Sequence, residues 1–137
     1  MPSLTGTVLA LTASPGSNLD SRFGAAGAAT TIYGHYTGEY GGKEVAFLLA
    51  HPSGNFFNHY LLQTLGGLGA SCLALNTRYV GNETSILMEM CVLDIAVGME
   101  FLRQQGFRRV VLIGNSGGGS LAAFYQSQAE NPTLDSL

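Results

Sequence analysis

Charge is scarce in this sequence. Only 11% of its 137 residues are Asp, Glu, Lys or Arg, against ~25% in ordinary soluble domains. Six basic and nine acidic residues give a net charge of −3. No basic stripe exists, which argues against nucleic-acid binding, since that depends on clustered Lys and Arg releasing counterions. The one adjacent basic pair, Arg108-Arg109, reads as the solvated start of a strand. Long apolar runs are also missing: none approaches the ~20 residues needed to cross a bilayer. The apolar piece Val8-Leu-Ala-Leu11 lacks a charged segment ahead of it and is too short for a secretory signal. A cytoplasmic protein with no membrane partner is expected. Cysteine is limited to Cys72 and Cys91, which show no C-x-x-C spacing and sit in apolar surroundings. Buried free thiols are expected, with no metal bound.

Glycine, by contrast, is abundant, with 19 residues, and 46% of the chain is apolar. Such a composition suits a sheet buried on both faces, or a piece of something larger. Residues 110–113, Val-Val-Leu-Ile, are the kind of run that fills a fully buried strand. They stop at Gly114-Asn115-Ser116-Gly117-Gly118, a G-x-S-x-G pentapeptide. A helical pattern then opens, with Leu121, Phe124, Tyr125 and Ala129 recurring at threes and fours. Strand, sharp turn and helix form the setting in which this pentapeptide carries chemistry. The turn strains the serine backbone and holds its hydroxyl clear of the sheet. Gly114 and Gly118 are expected to be small because strand and helix pass closely there. The free N–H groups and positive end of the new helix suit a developing oxyanion.

Three other readings of the glycine run fit less well. A flexible Gly-Ser linker needs a second domain to connect, and 17 residues follow Ser120. A phosphate-cradling loop would need a lysine that this stretch lacks. A dinucleotide fingerprint would need a different glycine spacing. No cofactor is therefore expected.

Taken in order, residues 1–29 are rich in Ser, Gly and Ala and are expected to be irregular. Residues 30–37, β-branched and aromatic, read as a strand, with His35 an ordinary sheet histidine. Turn chemistry at 38–42 and the apolar run 45–50 suggest a hairpin feeding a buried strand. His51-Pro-Ser-Gly54 ends it. A helix follows with Tyr60, Leu61, Leu65 and Leu68 on its apolar side, capped by Asn55 or Asn58. Glycines at 66, 67 and 69 stop that helix, and residues 71–75 are the next buried strand. A polar loop at 76–83 leads into a helix from about Ser85, with Met88, Cys91, Ile95, Met99 and Leu102 on one face, ending at Gly106. From residue 45 the order is β-α-β-α-β-α. This is the α/β class, a mostly parallel sheet with helices on both faces. The strand at 110–113 should lie beside and parallel to that at 45–50. Ligands in such sheets sit beyond the strand C-termini, where 51–54 and 114–118 would meet.

Residues 30–137 resemble the N-terminal half of an α/β-hydrolase, truncated after the nucleophile helix. The resemblance rests on His51-Pro-Ser-Gly54, on Asn76-Thr-Arg-Tyr-Val-Gly81, similar to a D-x-R-G-x-G segment, and on the pentapeptide. It implies a serine hydrolase of esterase type acting on a small ester-like substrate. Ser116 would be the nucleophile and the Gly117 N–H one oxyanion donor. A second donor would come from the loop after Ala50. Pro52 stands where many relatives carry glycine and has no N–H, which leaves Ser53 first and Gly54 in reserve. His51 would shape this loop. Asn76 replaces the usual acid and is taken as structural.

The same resemblance implies the chain order serine, acid, histidine. All three histidines, His35, His51 and His59, precede Ser116, and the acids after it are Glu130 and Asp135. The expectation is a catalytically incomplete half that self-associates through an unpaired strand edge. The competing expectation is a non-catalytic binding module, or the product of a degraded gene, on the same scaffold.

Overall fold

The computed structural model describes residues 6–13, 30–38 and 44–128. Its elements are β1 (Thr7–Ala13), β2 (Thr30–Thr37), β3 (Val45–His51), α1 (Tyr60–Gly67), β4 (Ser71–Asn76), α2 (Met88–Gln104), β5 (Arg109–Gly114) and α3 (Gly117–Gln128). They build one five-stranded sheet in the order β1-β2-β4-β3-β5. β4, β3 and β5 are parallel, with Ala50 opposite Leu75 on one side and opposite Gly114 on the other. β2 runs antiparallel to both of its neighbours, β1 and β4, so parallel pairing is confined to β4, β3 and β5 and the sheet is mixed.

Side-chain alternation along β3 and β4 sorts the apolar residues into two cores, as a period of two requires. Leu48, Ala50, Leu73 and Leu75 join Cys91, Ile95, Met99 and Leu102 of α2 and Leu121 and Tyr125 of α3. Leu49, Cys72 and Ala74 join Leu62 of α1 on the other face. This is why residues 45–50 and 71–75 read as continuous apolar runs: both faces are covered. At Gly98 α2 comes down onto the sheet, where a Cβ would stand 2.9 Å from Leu48 Cδ1.

Three expectations need correction. β2 and β3 do not form a hairpin; β2 pairs with β1 and β4. Both sides of β3 are taken by its parallel neighbours β4 and β5, which leaves no edge for β2. Residues 7–13 are not irregular but an edge strand, with Leu9, Leu11 and Ala13 turned inward at every second position; residues 14–29 lie outside the described residues. In α1 the buried residue is Leu62, while Tyr60 and Leu68 are 68% and 80% exposed. The helix has eight residues and presents only its 61, 62 and 65 stripe to the sheet.

One buried charge ties the 76–83 loop to α2. Asp94 is fully buried and accepts from the Arg78 backbone N–H at 2.8 Å and from Arg78 Nη2 at 2.7 Å. Removing one partner of such a pair costs about 3–5 kcal/mol. Asp94→Ala is therefore expected to lower the urea midpoint sharply, and a midpoint within error of the parent would show that the pair is dispensable.

Burial raises the Cys72 thiol to about 11. Burial, with the charge of Asp94 as a smaller cause, raises Cys91 to about 12. A raised thiol value keeps the neutral form at ordinary pH, so at pH 8 only about one Cys72 in a thousand is thiolate. Both thiols should resist iodoacetamide at pH 8 in the native protein and react after denaturation. Modification of the folded chain at the same rate as the unfolded one would contradict this.

Candidate active site

β5 delivers the chain to the pentapeptide at the C-terminal edge of the parallel strands, and α3 leaves from it at once. Ser116 has φ 57°, the one positive value at a non-glycine residue among the described residues. That conformation costs a β-carbon residue about 1–2 kcal/mol, and the turn around it supplies the constraint. The Gly118 N–H donates to Asn115 O at 2.9 Å and the Gly119 N–H to Ser116 O at 3.0 Å. A Cβ on Gly114 would run into the Gly118 carbonyl, and one on Gly118 would run into the Ala50 carbonyl. Glycine at both positions lets α3 start against β3 and β5. Ser116 itself is exposed. Among the described residues the Gly117 N–H meets no acceptor, so the first free donor of α3 adjoins the serine.

The facing wall is the loop 51–59, which begins where β3 ends. Its shape comes from His51, whose Nδ1 accepts from the Ser53 N–H at 3.1 Å and the Gly54 N–H at 2.7 Å. A nitrogen that accepts carries no proton, so the proton of neutral His51 is on Nε2. A Cβ on Gly117 would stand 3.6 Å from that Nε2 and 3.6 Å from Pro52 Cδ. The fold thus brings His51, Pro52 and Gly117 together. Ser53 and Gly54 lie on the same loop, but both of their amides are engaged by His51.

Side chains from the strand behind hold this loop. Asn76 is buried at the end of β4; its Oδ1 accepts from the Phe56 N–H at 3.0 Å, and its Nδ2 donates to Asn55 Oδ1 at 3.1 Å. Thr77 Oγ1 donates to Pro52 O at 2.7 Å, and His35 Nδ1 lies 2.6 Å from Phe57 O. Asn55 accepts from the Phe57 N–H at 3.0 Å within the loop and is not the cap of α1. That cap is His59, whose Nδ1 accepts from the Leu61 N–H at 3.2 Å. His59 Nε2 stands 3.3 Å from the Asn115 side-chain amide, one residue before the serine. The sequence reading missed the clamping role of Asn76 and Thr77 and the cap at His59. A carboxamide in place of the resembled motif's acid was the available signal, because an amide both donates and accepts whereas an ionised carboxylate only accepts.

Among the described residues no group of three or more His, Cys, Asp or Glu is placed to hold a metal ion, and no helix is long and apolar enough to cross a membrane.

No protein-family model matches this sequence, and no curated protein does so either. Solved structures do. The Pyrococcus furiosus esterase Pf2001 superposes with a TM-score of 0.63 at 17% identity, over 93% of this chain and 49% of that one. Brefeldin A esterase, a bacterial homologue of human hormone-sensitive lipase, gives 0.54 at 18% identity over 92% and 36%. An α/β-hydrolase from Novosphingobium aromaticivorans gives 0.50 at 18% over 76% and 37%. The chain spans about half the length of the first and a little over a third of the others. Its fold is that of the α/β-hydrolases, over the portion that an N-terminal half would supply.

Asn76→Ala removes the acceptor for the Phe56 N–H and the donor to Asn55 together. It is expected to destabilise the protein by about 1–3 kcal/mol and to speed hydrogen exchange at the Phe56 amide. An unchanged Phe56 exchange rate would show that the loop is held without it.

Proposed function

We propose that this chain carries the nucleophile half of a serine hydrolase that cleaves an ester or related acyl bond through an acyl-enzyme on Ser116. The observation carrying this reading is the positive φ of an exposed serine at a strand-to-helix turn, since such strain persists where surrounding structure imposes it and concentrates at functional sites. In the proposed step Ser116 Oγ bonds to the carbonyl carbon and loses its proton to a base. The carbonyl π pair moves onto oxygen, and its collapse expels the alkoxide, which takes up a proton. Water then releases the acid by the same sequence. The Gly117 N–H is suited to the developing oxyanion. Ser53 or Gly54 would be the second backbone donor if its N–H left His51 Nδ1.

The three histidines of the chain are poorly set to be the base. His35 is buried on β2, two strands from β3, with its Nδ1 on Phe57 O. His51 accepts on Nδ1, so its Nε2, turned toward the elbow, bears the proton and cannot take another; both nitrogens of His59 are engaged, Nδ1 by the Leu61 N–H and Nε2 by the Asn115 side-chain Nδ2. Without a base the hydroxyl stays protonated and weakly nucleophilic. Loss of the triad histidine costs on the order of 10⁶ in turnover in a well-studied protease. Partnering is proposed on the other edge: among the described residues β5 pairs with β3 alone, and an open apolar edge of this kind favours self-association.

The test is labelling with an alkyl fluorophosphonate, read by mass spectrometry. The expected result is slow formation of a single adduct on Ser116, abolished by Ser116→Ala, with negligible turnover of p-nitrophenyl esters and a size above the monomer in chromatography. Adducts elsewhere, with Ser116 unmodified, would overturn the nucleophile. Rapid stoichiometric labelling lost on substitution of one histidine would overturn the missing base.

A further inference from the structure

We infer that the second oxyanion donor of this site is the imidazole Nε2–H of His51, and not a backbone amide of the 51–59 loop; the inference rests on Ser116 being the nucleophile. Two functions meet in one ring. Nδ1 takes the N–H groups of Ser53 and Gly54, the two amides the loop has to offer beside Pro52, which has none. That double acceptance both withdraws the amides from the site and fixes the tautomer with its proton on Nε2. Nε2 in turn stands 3.6 Å from the Cβ position of Gly117, whose own N–H is the free donor after the serine. A carbonyl oxygen drawn to the Gly117 N–H by attack from Ser116 therefore develops its charge beside a second N–H. Neutral imidazole is a competent electrophile for such an oxygen, because it donates without needing to be charged.

The ring is held in this orientation from several sides. Phe56 packs against it with centroids 5.5 Å apart. A Cβ on Gly54 would lie only 3.0 Å from Nδ1, so a glycine lets that amide reach the ring. Pro52, which shares the Gly117 contact, is pinned through its carbonyl by Thr77 Oγ1 and approached by Cys91 Sγ at 3.8 Å. Removing the amides from the oxyanion position and presenting an N–H there are thus one arrangement.

Two substitutions separate the roles of the two nitrogens. His51→Asn places an acceptor near the Nδ1 position and removes the Nε2–H. His51→Gln places an amide donor near the Nε2 position and removes the Nδ1 acceptor. The rate of Ser116 phosphonylation by an alkyl fluorophosphonate is measured on the full chain. In that reaction Oγ–P forms, P–F breaks, fluoride leaves and the serine proton passes to water, while the phosphonyl oxygen occupies the oxyanion position. His51→Asn is expected to slow labelling on the order of 100-fold, with His51→Gln within about tenfold of the parent. Parent-like labelling in His51→Asn would return the role to the loop amides.

A measurement on the unsubstituted protein guards against misfolded variants. In ¹⁵N-histidine-labelled protein, two-bond ¹H–¹⁵N spectra should show His51 protonated on Nε2. The Nε2 proton should move downfield and exchange more slowly once Ser116 is phosphonylated. A proton on Nδ1, or an Nε2 proton indifferent to the adduct, would overturn the inference and leave Ser116 as nucleophile untouched. If Ser116 takes no label at all, the nucleophile assignment and the donor both fall.

Discussion

The site depends on one close approach: the first turn of α3 lies against the carbonyl of Ala50 at the end of β3, with Gly118 at the contact. A β-carbon there, or at Gly114 across the turn, would have to push the helix off the sheet. With both positions bare, β5 can reverse into α3 within three residues, and that tightness drives Ser116 to φ 57°. The same approach sets the Gly117 amide opposite the loop that follows β3. Strain at the serine, the free donor beside it and the facing wall are consequences of one steric condition.

The facing wall is a polar construction on an apolar base. Little of the 51–59 loop is held by regular backbone pairing. Its peptide groups are satisfied by Asn76, Thr77, His35, Asn55 and His51 instead. Buried peptide groups need partners, and these side chains provide them from three different strands and from the loop itself. The Arg78–Asp94 pair performs the same service one step further out, joining the segment that carries Asn76 and Thr77 to α2. Asp94 sits on the helix face that otherwise reads as Cys91, Ile95, Met99 and Leu102. A buried carboxylate in such a stripe requires a fixed cation, and Arg78 supplies it.

Histidine tautomers divide the site's chemistry. His51 and His59 both accept a backbone N–H on Nδ1, and for His51 this makes the ring a donor at its other nitrogen. Donors stabilise oxyanions and cannot remove protons. On the reading proposed above, the described residues furnish the elbow with donors and leave its base to be supplied from elsewhere. β5, which leads into Ser116, is also an edge strand of the sheet among the described residues.

Much of this was legible in the chain read alone, and for identifiable reasons. Runs such as 45–50 and 71–75 are apolar without interruption because both faces are buried. Gly-x-Ser-x-Gly between an apolar run and a helical period marks the elbow because the steric need for glycine is local. The parallel direction of β3, β4 and β5 followed from crossover rules applied to that order of elements. What stayed hidden was everything set by distance along the chain. Residues 7–13 became a strand only because β2 offered an edge. β2 lost its expected hairpin partner because β4 and β5 already flank β3. His59 displaced Asn55 and Asn58 as a cap because Asn55 was needed by the Phe57 amide and Asn76. The engagement of Ser53 and Gly54 by His51 was likewise invisible, since a tautomer is chosen by hydrogen bonds and not by residue type. Local sterics and periodicity are written in the sequence, whereas the partners that satisfy buried polar groups are chosen only when remote segments meet.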